Sequence, residues 1–246
     1  MIIVVLPAYN EEAALEPLLG RLDAALGRYP AACVIVVDDG STDGTVRVAR
    51  EHGGGMEVVV VSHPANQGLG RTMRTGLERA LEVAGEGDVV VTMDADNTHD
   101  PEVIHQMLPL VEDGFDIVIA SRYHPGGGEE GLSWHRSLMS RAASVFISLW
   151  APVRGAKDYT CGYRAYSARI LRDGQAAYGW GLVEERGFTC MAELLLKLSA
   201  RGARVAEVPL VLRYDLKAGP SKMKVARTIG RYLWLAARHR RRRVPA

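Results

Sequence analysis

Five continuous apolar runs, the first four each followed by a stretch with helical spacing, fill the first half of the chain. "IIVVLPAY" leads into "EEAALEPLLGRLDAAL", "CVIVVDDG" into "TVRVAREH", and "EVVVVSH" into "GRTMRTGLERALEVA". "DVVVTMD" and "PEVIHQMLPLVED" come next, and "DIVIASR" is the fifth run. Strands that are apolar at every position are buried on both faces, which parallel strands with crossover helices achieve. The pattern predicts an α/β chain: a Rossmann-like, mostly parallel sheet with helices on both faces. Ligands in such sheets bind beyond the carboxyl ends of the strands. The polar clusters fall there: "AYNEE", "DDGSTDG", "HPANQG", "DADNTHD" and "SRY".

After Tyr123 the periodicity loosens. "HPGGGEEGLSW" predicts a mobile Gly-rich loop. "HRSLMSRAASVFISLWAPVRG" predicts a helix, "DYTCGYRAYS" a short strand with a turn, "TCMAELLLKLSARG" a helix and "RVAEVPLVLRY" a last strand. The division expected is residues 1–215 as the catalytic-type domain and 216–246 as a basic amphipathic C-terminal segment, with a helix over "VARTIGRYLWLAAR".

Charge sharpens that division. From Arg213 onward there are 11 Lys/Arg and one acid, although the whole chain is only +1. A basic tail on an acidic body points to an anionic partner. Tyr232 and Trp234 at headgroup level, with "RHRRRR" on anionic lipid, would make the tail an interfacial helix; a helix packed on the domain is the alternative. No nucleic-acid recognition module accompanies it. Three scattered cysteines form neither a disulfide framework nor a zinc pattern, so a reduced, cytoplasmic chain is expected. The apolar N-terminus is too short for a signal peptide, which leaves peripheral contact at the cytoplasmic face of a membrane.

The chemistry starts at "DADNTHD". Asp94 and Asp96 follow the fourth strand at i and i+2. A turn would explain them, but two carboxylates on one side of an extended segment can share a Mg²⁺ or Mn²⁺, and Thr98 could add an oxygen. After the second strand, Asp38 or Asp39 could bond a base or ribose, or simply form a turn. Arg71, opening a helix, could reach a diphosphate. The glycines before it do not complete a dinucleotide fingerprint, since Met73 stands at the third position. Arg122 ends the fifth strand, and Arg136 with Ser140 opens the next helix; such arginines can fork onto phosphate.

"LPAYNEE", "VVDDGSTDGT", "NQGLG", "MDADNTHDPE", "ASRY", "DYTCGYRAY" and "GPSK", in this order and spacing, resemble the family 2 glycosyltransferases of the GT-A fold. Within that family they resemble the dolichyl- or polyprenyl-phosphate mannose synthase branch. The resemblance implies that Pro7, Tyr9, Glu11 and Asp39 hold a nucleoside, and that Asp94, Ala95 and Asp96 meet the metal and diphosphate. It implies that Arg122, Arg136 and Ser140 hold an acceptor phosphate, with Lys217 and Lys222 also at the substrate. The implied reaction moves a hexose, mannose from GDP-mannose being favoured, onto polyprenyl or dolichyl phosphate. Another nucleotide sugar such as UDP-glucose, a soluble hydroxyl acceptor served by Glu184, Glu185 or Glu193 as base, and a non-catalytic binding module are the competing readings. The chain departs from the branch pattern at Thr98, Cys161 and Leu216, where Gln, Ser and Arg are usual.

Overall fold

A computed structural model describes residues 1–217, 230–232 and 235, leaving aside the side chains of His135 and Arg136. Its centre is a seven-stranded sheet in the order β3-β2-β1-β4-β7-β5-β8. β1 (Ile2–Ala8), β2 (Ala32–Asp38), β3 (Glu57–Ser62) and β4 (Val89–Thr92) are parallel neighbours. β5 (Ile117–Ser121) pairs in parallel with β8 (Val205–Pro209). Between β4 and β5 lies β7 (Arg164–Ser167), antiparallel to both.

Burial explains why the first strands are legible. Ile3, Val4, Val5, Leu6, Val34 and Val36 are fully enclosed, because helices cover both faces. The edge strand β3 is only half-buried at its four valines. α1 (Glu12–Leu26) inserts Leu15, Leu18, Leu19 and Leu22, a one-sided i, i+3, i+4, i+7 set. α2 (Thr45–Glu51), α3 (Leu69–Val83) and α4 (Ile104–Glu112) follow the next strands. α3 packs closest: a Cβ on Gly76 would stand 2.3 Å from Val5 Cγ1, so only glycine lets the helix approach β1.

The second half differs from the expectation in four places. The Gly-rich stretch contains a strand, β6 (Gly128–Glu130), paired in parallel with β9 (Val211–Arg213). The expected last strand is broken at Leu210 into β8 and β9, so the chain leaves the main sheet and forms this two-stranded roof. α5 (Trp134–Trp150) stops short of the expected end. α6 (Ala168–Tyr178), capped by the Ser167 hydroxyl, was not foreseen; α7 (Cys190–Ser199) was.

Of the tail, "RHRRRR", Trp234 and Lys222 lie outside the described residues. The described part packs inward. Tyr232 and Leu235 belong to the buried core, and Arg231 Nε lies 2.8 Å from Glu185 Oε2. Tyr232 is therefore not at headgroup level: its ring is enclosed, and its hydroxyl donates to Phe188 O at 3.4 Å. No helix among the described residues is long and apolar enough to cross a membrane.

Candidate active site

The carboxyl ends of β1, β2 and β4 converge on a cavity of about 460 Å³. Pro7, Tyr9, Glu11, Asp39, Asp94, Ala95, Asp96, Arg122, Ser140 and Lys217 all line it. The loops beneath are locked together. Asn10, in a left-handed conformation (φ 52°), accepts the Thr42 N–H at 2.8 Å and donates its own N–H to Ser41 Oγ at 2.9 Å. Asp39 accepts the Gln67 and Gly68 N–H groups and faces His63 Nδ1, each at 2.8 Å. Asp38 takes a different part. It is buried, does not line the cavity, and accepts the Ser41 N–H at 3.0 Å, which makes it the turn residue of the pair.

Asp94 and Asp96 face the cavity beyond β4. The turn is set by Asn97 (φ 62°), whose side chain and Asp100 are held by Arg21 at 2.9 Å. Burial pushes the Asp94 carboxyl above its usual range. For Asp96 burial acts the same way, but the Lys217 ammonium outweighs it and holds the carboxyl below the usual range. Thr98 is not a free oxygen for a cation. It is buried, and its hydroxyl donates to Asp96 Oδ1 at 2.6 Å, so it aims the carboxylate. Two carboxylates that face one cavity, one desolvated and one paired with the Lys217 ammonium, have the chemistry to hold a divalent ion.

Arg122 forms the other end. Its Nε and Nη2 fork onto Asp158 at 2.8 Å each, Nη2 also reaches Thr160 Oγ1 at 2.6 Å, and Nη1 reaches Glu129 Oε1 at 3.0 Å. Burial opposes its charge, yet Asp158 keeps the guanidinium firmly protonated. Ser140 Oγ is 3.2 Å from Thr160 Oγ1 and accepts from Tyr123 Oη at 3.2 Å. Leu132, Met139, Ala143, Phe188, Leu212 and Tyr232 complete this end as an apolar wall. Arg136 starts the same helix as Ser140, but its side chain lies outside the described residues. Arg71 is exposed and does not line the cavity; helical spacing turns Leu69 and Thr72 inward instead.

Residues 3–174 match the family described as glycosyl transferase family 2. The chain belongs to that family. It is 33% identical to a polyprenol monophosphomannose synthase of Mycolicibacterium smegmatis, over 90% of this chain and 80% of that protein. An undecaprenyl-phosphate mannosyltransferase of Micrococcus luteus is 34% identical, over 90% of this chain and 87% of that protein. Among solved structures, glucosyl-3-phosphoglycerate synthase from Mycobacterium tuberculosis, in complex with Mn²⁺, UDP and glucosyl-3-phosphoglycerate, shares the fold. The TM-score is 0.69 at 22% identity, covering all of this chain and 81% of that one.

In this glycosyltransferase the site is also built by residues that sequence reasoning passed over. Asp158 and Thr160 sit in the quoted "DYTCG" but carried no assignment, although Asp158 is the fixed partner of Arg122. Arg164 of the same motif is fully buried and donates to Tyr159 O at 2.9 Å and Met191 O at 2.5 Å, pinning the loop to α7. Arg186, Gly187 and Phe188 wall the cavity from a loop laid over the start of α3. The signal for Asp158 was the acid directly before a turn; Arg186 and Phe188 offered none.

Proposed function

We propose that this glycosyltransferase moves a hexose, with mannose from GDP-mannose favoured, onto the phosphate of a polyprenyl or dolichyl phosphate. The observation that carries this reading is the composition of the Arg122 end. A cation and two hydroxyls stand against an apolar wall, which suits a phosphate attached to a hydrocarbon. The relatives' names, which pair mannose with polyprenol or undecaprenyl phosphate, support it.

The placement of bases argues the same way. Glu184, Glu185 and Glu193, the bases a hydroxyl acceptor would call on, do not line the cavity. Glu193 is buried, accepts the Glu184 and Glu185 N–H groups at 2.9 and 2.8 Å, and is paired with Lys197 at 2.6 Å. A phosphate monoester needs no such base, because its second ionisation lies at about pH 6 and it is already nucleophilic at neutral pH.

In this reading Pro7, Tyr9, Glu11 and Asp39 hold the nucleoside, with Asp39 oriented by His63 and the Gln67 and Gly68 amides. Asp94 and Asp96 would hold Mg²⁺ or Mn²⁺, which when bound neutralises the departing diphosphate. Lys217, already at Asp96, adds positive charge on that side. Arg122, Ser140 and Thr160 orient the acceptor, so attack is a single displacement with inversion. Membrane contact, peripheral and at the cytoplasmic face, follows from the acceptor's insolubility and the basic C-terminal residues.

The test is turnover with GDP-mannose, UDP-glucose and related donors on a short prenyl phosphate and on the matching prenyl alcohol, with and without chelator. Transfer to the phosphate alone, abolished by chelator and by Asp96→Asn, is expected. Equal transfer to the alcohol would refute the acceptor assignment, and full activity in excess chelator would refute the metal site.

A further inference from the structure

The donor count of Arg122 poses a problem for any incoming anion. Of its five N–H groups, Nε, both on Nη2 and one on Nη1 are engaged within the chain. Two carboxylates already face one guanidinium: Asp158 is fully enclosed and Glu129 nearly so. A phosphate dianion added to both would set four negative charges around that single cation, in a place where water cannot screen them.

The two carboxylates are not held alike. Asp158 also accepts the Arg122, Thr160 and Cys161 N–H groups and the Thr160 hydroxyl, at 3.0–3.3 Å. It is built into the loop that enters β7. Glu129 sits on the three-residue roof strand β6, which follows Gly126 and Gly127 and, among the described residues, pairs with β9 alone. Among the described residues, Arg122 is the one hydrogen-bonding partner of its carboxylate.

We infer that Glu129 is an internal competitor for the acceptor's phosphate: its carboxylate covers the Nη1 edge of Arg122 and must leave that edge when the phosphate binds. The inference rests on the reading that Arg122 binds the acceptor. Asp158 stays as the permanent counter-ion and aims the guanidinium. Glu129 excludes weakly charged anions from the subsite and lowers the affinity of the phosphate that does enter. Its displacement moves β6, and with it the β9 strand that carries Leu212 of the apolar wall.

Equilibrium binding of a short, water-soluble prenyl phosphate, without donor, tests this on the full chain. Glu129→Gln keeps the side-chain shape and removes the charge; Glu129→Ala removes the group. Both should bind the prenyl phosphate about tenfold more tightly than the parent, the scale of one charged hydrogen bond. Arg122→Gln should bind it more weakly. If Arg122→Gln weakens binding while both Glu129 variants bind as the parent does or worse, Glu129 is a brace for Arg122 and the competitor role is wrong. If Arg122→Gln leaves binding unchanged, the acceptor reading itself fails, and the inference with it.

Discussion

Replacing Asp158 by Asn should cost both stability and acceptor affinity, through one mechanism. The side chain is fully buried and gives Arg122 its two-pronged partner at 2.8 Å on each prong. Asparagine preserves the shape and one acceptor oxygen, but it turns the other oxygen into a donor facing a guanidinium. Breaking a buried ion pair from one side costs about 3–5 kcal/mol; the retained oxygen recovers part, leaving about 2–4 kcal/mol. For a chain of this size that lowers the thermal midpoint by about 5–15 °C. The pH dependence has a definite sign. The Arg122 guanidinium and the Thr160 donors hold the Asp158 carboxyl below its usual range despite burial. Its contribution is therefore complete above the unfolded carboxyl value of about 3.9 and is lost as pH falls towards the depressed folded value. Urea unfolding from pH 7 down to pH 3 should show parent and variant converging at the acid end. The prenyl phosphate KM should also rise in the variant, because the guanidinium loses its aim. A variant within about 0.5 kcal/mol of the parent at pH 7, with an unchanged acid limb, would refute the account of Arg122.

Gly70→Ala should destabilise by about 1–3 kcal/mol or more, as overpacking does, because its Cβ would lie 1.6 Å from the Glu185 carbonyl oxygen; urea midpoints measure it. Lys197→Met should cost about 3–5 kcal/mol by stranding Glu193, and adding Glu193→Leu should restore much of the loss, which a double-mutant cycle reads out. Tyr232→Ala should cost about 2–4 kcal/mol and raise the prenyl phosphate KM, since the ring is buried and lines the cavity; melting curves beside acceptor kinetics check both.

β1, β2 and β4 can be read from the sequence because near-total burial leaves one signature, an unbroken apolar run, and the half-buried edge strand β3 carries the same run in its four valines. β7 reads less clearly: "RAYS" has only four residues, and nothing in it states that the strand runs backwards between β4 and β5. β6 reads as loop in the sequence because its residues, "GEE", are held by backbone pairing with β9 and not by side-chain burial. Ten of the proposed site residues meet in one cavity because strand ends in a parallel sheet converge. Asp38 and Thr98 carry the right chemistry but spend it on a turn and on Asp96, a choice that neighbouring residues decide. The engagement of Arg122 was invisible, because Glu129 and Asp158 lie seven and 36 positions away.

The reversed strand β7 also limits how the enzyme can move. Its ladder with β4 runs from Val89↔Ser167 to Thr92↔Arg164, and the buried Thr92 hydroxyl clamps the Gly162 carbonyl at 2.7 Å just beyond it. Asp94 lies two residues beyond Thr92, past the end of β4, and Thr160 lies two residues before Gly162, ahead of the start of β7. The proposed diphosphate side and the proposed acceptor side are thus joined across one pair of strands, and hinging them apart would tear that ladder. Any opening for two very different molecules then falls to the roof, whose two short strands pair with each other and not with the main sheet, and which meets the Asp96 side through one backbone bond, Arg213 N–H to Thr98 O at 3.0 Å.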